Sequence, residues 1–498
     1  MSNLYIMQNE HDMIRKELFS NIGFITLSVT NLCNGACKYC YMPIVDKKRK
    51  SEFLSHDLLR QVLNAILVNN FDKKRALKLQ FFGGEPLLVG LDWYKKALPI
   101  IRNIAKESNI DIELVVQSNF INVNREIIEY FEKEDIILNA SLDGNSKLHD
   151  ILASSGERII KNIKLFYNIT GRAPGIITVL GKHNASAVEE ILEYFIKDLK
   201  IDSINVLFLH NKKVLTDSFE ANSDEMLACS YKILDTMKKQ KGKFIETNLK
   251  RYLLMYFDHD YNEEERSKRN CHSFYCMAFR NMCSIFPDGE ILGCDAINSN
   301  RRQRGLYIQD FYKDPKYFSK AYNKMAISFH EKGEAYSKCL TCFASKICSF
   351  NCPGLNKNYE YHEKMCEYTK KLFKYFEINR KSLISLYNII KDKNLKINKM
   401  QLDDALKDTL VNVEDKNKIK NALNYYNNQN EAIFNEKYRV NELINLFTKL
   451  DSAKLIIEKQ TKNNVFIKSR NKRFIYKPRS LELYKVDPKT YMEIILSE

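Results

Sequence analysis

Three thiols fall within eight residues in Cys33-Asn34-Gly35-Ala36-Cys37-Lys38-Tyr39-Cys40, spaced C-x3-C-x2-C directly after the apolar run Phe24-Ile25-Thr26-Leu27-Ser28-Val29. Three thiolates at a strand end can hold three irons of a four-iron cluster and leave the fourth iron open. An iron with an open position can bind and reduce a small molecule, which a closed four-thiolate site cannot. The same spacing also suits a loop of reduced thiols, or a zinc knuckle short of its fourth ligand.

A second cysteine set follows. Residues 271–366 hold nine of the thirteen cysteines. Cys276 is followed by twelve residues, Gly289, four residues and Cys294; then come Cys339-x2-Cys342-x5-Cys348-x3-Cys352 and, after a gap, Cys366. A zinc ribbon would offer two C-x2-C pairs, and only Cys339 and Cys342 have that form. Short regular gaps in a large chain point to metal binding in a reducing compartment rather than to a disulfide framework.

The elements that must position these residues alternate from about residue 22 to 240. Short β-rich runs at 24–29, 77–82, 111–117, 136–142, 175–180 and 204–209 are separated by helix-like segments near 55–70, 92–107, 124–133, 157–169, 185–199 and 222–240. Ser55 and Asn124 are placed as helix N-caps. Six β-α units in series imply a parallel sheet wound as an open or partial barrel, whose chemistry sits at the C-terminal strand ends. The unusual residues fall there. The cysteine loop ends the first strand, Gly83-Gly84-Glu85-Pro86 the second, and Gln117-Ser118-Asn119 the third. Ser141-Leu142-Asp143-Gly144 ends the fourth, and Gly181-Lys182-His183-Asn184 follows the fifth. A glycine pair after a strand lets the backbone approach a ligand closely, although Gly-Gly-Glu-Pro alone also reads as a turn.

With aromatic Tyr39 before the third cysteine and Gly83-Gly84-Glu85-Pro86 one β-α unit later, this arrangement resembles the radical S-adenosylmethionine (SAM) enzymes. The resemblance implies an α/β fold, a partial (β/α)6 TIM-like barrel. It also implies that Cys33, Cys37 and Cys40 hold a 4Fe–4S cluster whose open iron chelates the amino and carboxylate groups of SAM. One-electron reduction then gives a 5′-deoxyadenosyl radical that takes hydrogen from a substrate. By the same resemblance Tyr39 contacts the adenine end through its backbone, Gly83, Gly84 and Glu85 receive the amino group, and Ser141 meets the ribose. Ser118 and Asn119 join the cofactor site, and Leu180 is an adenine neighbour. Related peptide-modifying members read Leu-Asp-Gly-Pro, then His-Asp, then an Arg for the SAM carboxylate. This chain has Asp143-Gly144-Asn145, His149-Asp150 and then Ala153, leaving Arg158 as the candidate substitute and His149 as a structural hydrogen-bonding residue.

The second set is similar, gap for gap, to the SPASM extension of radical SAM enzymes, which carries auxiliary 4Fe–4S clusters. Two closed clusters need eight thiolates. By analogy with relatives, Cys271, Cys276, Cys294 and Cys352 hold one, and Cys339, Cys342, Cys348 and Cys366 the other. Cys283 competes with Cys271 as a ligand, and Cys229 reads as a core residue. Asp295, directly after Cys294, stands where sulfatase-maturing relatives place a base for the substrate side chain; a solvated or capping Asp fits equally. The expected domains are a barrel over 1–240 with its core at 22–210, a cysteine-rich SPASM domain over 241–370, and a mainly helical extension over 371–498.

At 498 residues with 45% hydrophobic and 28% charged residues, the chain can bury a large core. No apolar run reaches a membrane span, and the N-terminus lacks a signal-peptide pattern, so the expected setting is cytoplasmic, with no membrane partner. Residues 367–498 carry 27 Lys and Arg against 17 Asp and Glu, most of the net charge of +16. Helix-like segments run through 370–390, 415–427, 437–449 and 489–496, with β-rich basic runs at 465–468, 474–477 and 481–484. Such an end could add a peptide as an extra strand, or cap the barrel. Its basic residues are not interleaved with an aromatic stacking platform, which argues against nucleic acid. The expected partners are a precursor peptide or protein substrate and an external one-electron donor such as flavodoxin or ferredoxin. The leading reading is a radical SAM modifier of a ribosomally made peptide or a protein side chain, with three 4Fe–4S clusters and SAM. The alternatives are an anaerobic sulfatase-maturing enzyme and an iron–sulfur electron-transfer or scaffold protein.

Overall fold

The computed structural model describes residues 18–19, 22–40, 53–67, 75–209, 219–257, 278–279, 281–295, 305–330, 342–344, 347–348 and 359–391, together with four strands between 455 and 486. The chain forms two compact units. The first comprises 1–252 and 266–389, the second 253–265 and 390–498.

Six parallel strands open the first unit: β1 (Phe24–Thr30), β2 (Arg75–Gly83), β3 (Ile110–Ser118), β4 (Ile136–Ser141), β5 (Ile176–Leu180) and β6 (Ser203–Phe208). They pair in chain order, and β7 (Ile245–Glu246) closes that end. On the other side β8 (Met282–Ile285) pairs parallel to β1. The sheet ends there with β9 (Glu290–Leu292) and β10 (Leu306–Tyr307), both antiparallel additions. The order β10-β9-β8-β1-β2-β3-β4-β5-β6-β7 is an alternating β/α sheet, as the hydrophobic periodicity predicts.

The connecting helices are α1 (His56–Leu67), α2 (Leu91–Glu107), α3 (Arg125–Lys133), the short α4 (Ser146–His149), α5 (Gly156–Thr170), α6 (Val188–Lys197) and α7 (Ser223–Lys239). Each buries one stripe. In α2 it is Trp93, Tyr94, Ala97, Leu98, Ile101, Ile104 and Ala105, at helical spacing. The expected caps form: Ser55 Oγ accepts from Leu58 N at 3.2 Å, and Asn124 Oδ1 from Ile127 N at 2.9 Å.

The strand register decides which residues face the helices. Ile25, Leu27 and Val29 of β1 are fully buried, as are Leu79 and Phe81 of β2. The alternate residues face the inner side. There Thr26 Oγ1 meets Ser284 Oγ, Ile137 and Leu207 are more than a third exposed, and Asn139, Ser141, Ile177, Val179 and Asn205 are half-buried. A sheet covered by helices on one side and open on the other is the inside of a partial barrel.

Further along, α8 (Thr247–Phe257), α9 (Ile308–Lys313), α10 (Pro315–His330) and α11 (Tyr359–Ile378) follow. Two ion pairs, Lys364–Glu220 and Lys371–Asp224, and a 2.8 Å contact between Tyr368 OH and Ser230 Oγ join α11 to α7 and the residues just before it. The second unit contains a four-stranded antiparallel sheet, β11 (Leu455–Gln460), β12 (Val465–Ser469), β13 (Lys472–Lys477) and β14 (Glu482–Val486). Three of these strands match the β-rich runs read from sequence; β11 was not anticipated. The helices expected at 415–427, 437–449 and 489–496 lie outside the described residues.

Candidate active site at the strand ends

The cysteine loop leaves the end of β1 and is held by neighbours on both sides. Lys38 N donates to Leu152 O at 2.7 Å, Ala36 N to Ser154 Oγ at 3.1 Å and Lys38 Nζ to Ile151 O at 3.2 Å. Cys33, Cys37 and Cys40 are all half-buried. Gly35 N donates to Cys33 Sγ at 3.3 Å, and the Asn119 amide lies 3.9 Å from the same sulfur. Burial pushes the Cys33 thiol up, and burial together with Cys40 and Asp143 pushes Cys37 up to about 12. Three crowded thiols of this kind ionise only when a cation shares the site.

Among the described residues, no three side chains of Cys, His, Asp or Glu converge as a single-ion site requires. An iron–sulfur cluster makes a different demand, because each thiolate takes its own iron. The three spaced thiols, with N–H groups directed at Cys33, fit that donor set.

The loop after β2 closes against the cysteine loop through main chain. Gly84 N donates to Thr30 O at 2.9 Å and Glu85 N to Leu32 O at 2.7 Å. A Cβ on Gly84 would stand 2.0 Å from Leu32 O, and one on Gly83, whose φ is +130°, 2.4 Å from Thr30 O. Both glycines are therefore demanded by the approach of the two loops.

Glu85 is held by its neighbours. It is 1% exposed and its carboxylate is occupied: Leu87 N and Ser118 Oγ donate to Oε1 at 3.0 and 2.9 Å, and Asn119 N to Oε2 at 2.7 Å. Burial pushes its pKa up to about 7 against those three donors. Glu85 thus braces the end of β2 against the end of β3. Ser118, 1% exposed, belongs to the same brace and also accepts from Phe120 N at 2.9 Å. Phe120 has φ +63°, strained for an aromatic residue, and the brace holds it there. Asn119 alone of this group turns towards the cysteines, donating to Asn34 Oδ1 at 2.8 Å.

Asp143, which sequence reasoning did not select, is the hub of the β4 end. It is 1% exposed; Tyr39 OH donates to Oδ2 at 2.6 Å and Val179 N to Oδ1 at 2.7 Å. Its own N–H donates to His149 Nδ1 at 3.2 Å, which gives His149 the structural role expected. Burial and the Asp143 carboxylate keep the Tyr39 phenol protonated, well above its ordinary range. A buried Asp in Ser-Leu-Asp-Gly at a strand end, one β-α unit from a C-x2-Tyr-Cys loop, was the available signal. Ser141 sits on the inner side, where Gln117 Nε2 donates to its Oγ at 3.1 Å.

Leu180 ends β5. It is 1% exposed and shares the helix-facing side with Ile176 and Thr178; its neighbour Val179 faces the open side. The Arg expected near 153 is Ala153, 8% exposed, and among the described residues Arg158 Nη2 reaches Asn122 Oδ1 at 3.5 Å.

Of the second set, Cys271, Cys276, Cys339 and Cys352 lie outside the described residues. Cys294 is 9% exposed, and its Sγ lies 3.2 Å from Asp295 Oδ1. Leu292, two residues earlier, forms an apolar cluster with Phe82 and Phe286, against which Cys40 packs. The β9 strand that precedes Cys294 thus packs beside the cysteine loop. Cys342, Cys348 and Cys366 are half-buried, the last on α11. Cys283 is fully buried in β8 beside Ile25, on the helix-facing side, and burial alone raises its pKa to about 12. Leu292 and Ser284 occupy the opposite face, so Cys283 belongs to the core layer. No described cysteine is in a disulfide. Among the described residues, no helix is long and apolar enough to cross a membrane.

Residues 27–195 match the family model described as Radical SAM superfamily. A cysteine-type anaerobic sulfatase-maturating enzyme of Clostridium novyi (strain NT) is 24% identical over 67% of this chain and 88% of its own length. A serine-type anaerobic sulfatase-maturating enzyme of Klebsiella aerogenes is 23% identical over 71% of this chain and 85% of its own. The radical SAM cyclopropyl synthase TigE of Paramaledivibacter caminithermalis is 26% identical over 32% of this chain and 37% of its own. The solved structure of native anSMEcpe with bound AdoMet superposes with a TM-score of 0.58 at 15% identity, covering 74% of this chain and 99% of that one. At that identity the likeness concerns the fold.

Proposed function

Residues 27–195 form a radical SAM superfamily domain, and from that premise we propose that the chain is an enzyme that modifies a ribosomally made peptide or a protein side chain. The superfamily implies a 4Fe–4S cluster and SAM, which together supply reductive cleavage of SAM to a radical that takes hydrogen from the substrate. Cys33, Cys37 and Cys40 hold the cluster. Gly35 and Asn119 direct N–H groups at Cys33, and Asp143 fixes Tyr39. The Glu85 brace sets the loops in which these residues lie. Ser141 and Gln117 face the inner side, where SAM and the reacting residue meet.

The observation that carries the reading is the locking of the half-buried C-x3-C-x2-C loop onto the Gly-Gly-Glu loop at the C-terminal strand ends. An electron carrier needs no such pairing. The remaining assignments extend the proposal. Cys271, Cys276, Cys294 and Cys352 hold one auxiliary cluster, and Cys339, Cys342, Cys348 and Cys366 another; an external flavodoxin or ferredoxin supplies the electron, in the cytoplasm. Residues 371–498 engage the substrate.

Anaerobically reconstituted protein given dithionite and SAM is expected to form 5′-deoxyadenosine, and Cys33→Ala to form none. Equal yields from the two proteins would reject the radical reading.

The relatives that span two thirds of the chain support a second reading, oxidation of Ser or Cys to formylglycine in a sulfatase. Asp295 beside Cys294 supports it, as the carboxylate that would take a proton from the substrate. Formylglycine in a sulfatase-derived peptide after turnover would establish it; an unchanged peptide beside abundant 5′-deoxyadenosine would return the choice to another peptide.

A further inference from the structure

Asn119 follows directly on β3, and its main-chain N–H and both ends of its side chain are engaged. The N–H donates to Glu85 Oε2 at 2.7 Å, and Oδ1 accepts from Ile121 N at 3.0 Å. The second contact fixes the amide: with Oδ1 turned to Ile121, Nδ2 faces the cysteine loop. There Nδ2 donates to Asn34 Oδ1 at 2.8 Å and lies 3.9 Å from Cys33 Sγ. An amide nitrogen carries two hydrogens, one for each of these partners. Gly35 N approaches the same sulfur at 3.3 Å. A Cβ at Gly35 would stand 3.4 Å from Asn119 Nδ2 and 3.5 Å from Cys33 Sγ, so loop, amide and sulfur already touch.

The charges around Cys33 give that contact a purpose. Burial and the Glu85 carboxylate oppose a negative sulfur there, while Gly35 and Asn119 favour one. Asn119 therefore stands between a buried carboxylate and a thiol and donates to both. An aspartate at this position would keep the bond from Ile121 N, but it would set an oxygen against the sulfur. The nitrogen is the part that the cysteine loop uses.

A sulfur that ligates an iron–sulfur cluster gains negative charge when the cluster is reduced. An N–H directed at it then stabilises the reduced form more than the oxidised one. In a half-buried site water screens that interaction only weakly. We infer that Asn119 is a positioning residue acting through Cys33: its Nδ2 donor makes the cluster held by Cys33, Cys37 and Cys40 easier to reduce. One electron leaves the external carrier and enters the cluster, and no covalent bond changes. The inference deepens the SAM-cleaving reading above and rests on it.

The test is a redox titration of the anaerobically reconstituted holoenzyme, followed by electron paramagnetic resonance. The reduced signal that changes when SAM is added belongs to the cluster with the open iron. Asn119→Leu removes the donor at similar size, and Asn119→Asp keeps the Ile121 contact while replacing nitrogen by oxygen. Both are expected to retain the wild-type iron content. Both should lower the midpoint potential of the SAM-responsive signal by about 59 mV, a roughly tenfold loss in reduced over oxidised cluster at fixed potential. Any other reduced signal keeps its potential. Ser154→Ala removes the acceptor of Ala36 N and loosens the same loop without touching the sulfur, so it should leave the midpoint unchanged. Wild-type potential in both Asn119 variants, or an equal fall in Ser154→Ala, would overturn the inference. A wild-type holoenzyme in which no signal responds to SAM would instead remove the reading on which it rests.

Discussion

Glu85 shows how far a residue's setting depends on distant partners. The sequence marks it, because Gly-Gly-Glu-Pro after a strand is unusual, but no spacing reveals that three donors from two strand ends converge on its carboxylate. That convergence is tertiary, and so is the bond that makes Asp143 the anchor of Tyr39. The cysteines are legible because their chemistry demands a fixed local spacing; the residues that hold them are not, because their partners are more than thirty positions away. A brace and a cofactor contact make different demands on the SAM-free protein. Glu85→Ala leaves three buried donors unmet, each worth roughly 1–3 kcal/mol when stranded. The variant is therefore expected to lose several kcal/mol in urea unfolding before SAM or iron is added. Glu85→Gln, which keeps one acceptor oxygen, should lose less. Wild-type stability in Glu85→Ala would show that the carboxylate serves the cofactor alone.

The six parallel strands and the six longer helices between residues 24 and 239 were legible to within about three residues of their ends. Runs expected at 111–117 and 136–142 fold as β3 and β4 over 110–118 and 136–141, and Asn124 caps its helix as read. Parallel strands covered by helices need apolar residues on the covered face, which leaves a strong local signal. The edge strands gave less, since β9 and β10 are three and two residues long. The direction of individual side chains was not legible either, as Cys283 shows. β8 settles that direction: its register with β1 puts Cys283 beside Ile25 on the helix-facing side, while Leu292 faces the cluster on which Cys40 packs. A thiol in that layer can serve packing but not a cluster on the other face. With three 4Fe–4S clusters the reconstituted protein should hold about twelve irons per chain. Cys283→Ala is expected to keep that number while losing about 1 kcal/mol of packing stability, and Cys294→Ala to lower it. A loss of iron in Cys283→Ala would return Cys283 to the ligand set, and about four irons in the wild type would remove the auxiliary clusters altogether.

At the scale of the molecule, the catalytic strand ends and the basic end of the chain fall into different compact units. The solved structure with the shared fold covers 74% of this chain, so about a quarter has no counterpart there. The sheet β11-β12-β13-β14 is antiparallel, and its outermost strands β11 and β14 each have one neighbour among the described residues. Over 455–486 the sequence carries nine Lys and Arg against two Glu. A basic sheet with an unpaired edge can take an extended peptide as a further strand by main-chain hydrogen bonds, with acidic residues favoured by charge. Reaction and recognition should then be separable. A chain ending at Lys391 is expected to form 5′-deoxyadenosine from SAM at the wild-type rate but to leave a leader-bearing precursor peptide unprocessed by mass spectrometry. The excised core peptide, lacking the leader, should react equally slowly with both chains. If the shortened chain processes the full precursor as well as the whole protein does, residues 392–498 have no part in recognition, and the substrate must be held by the first unit alone.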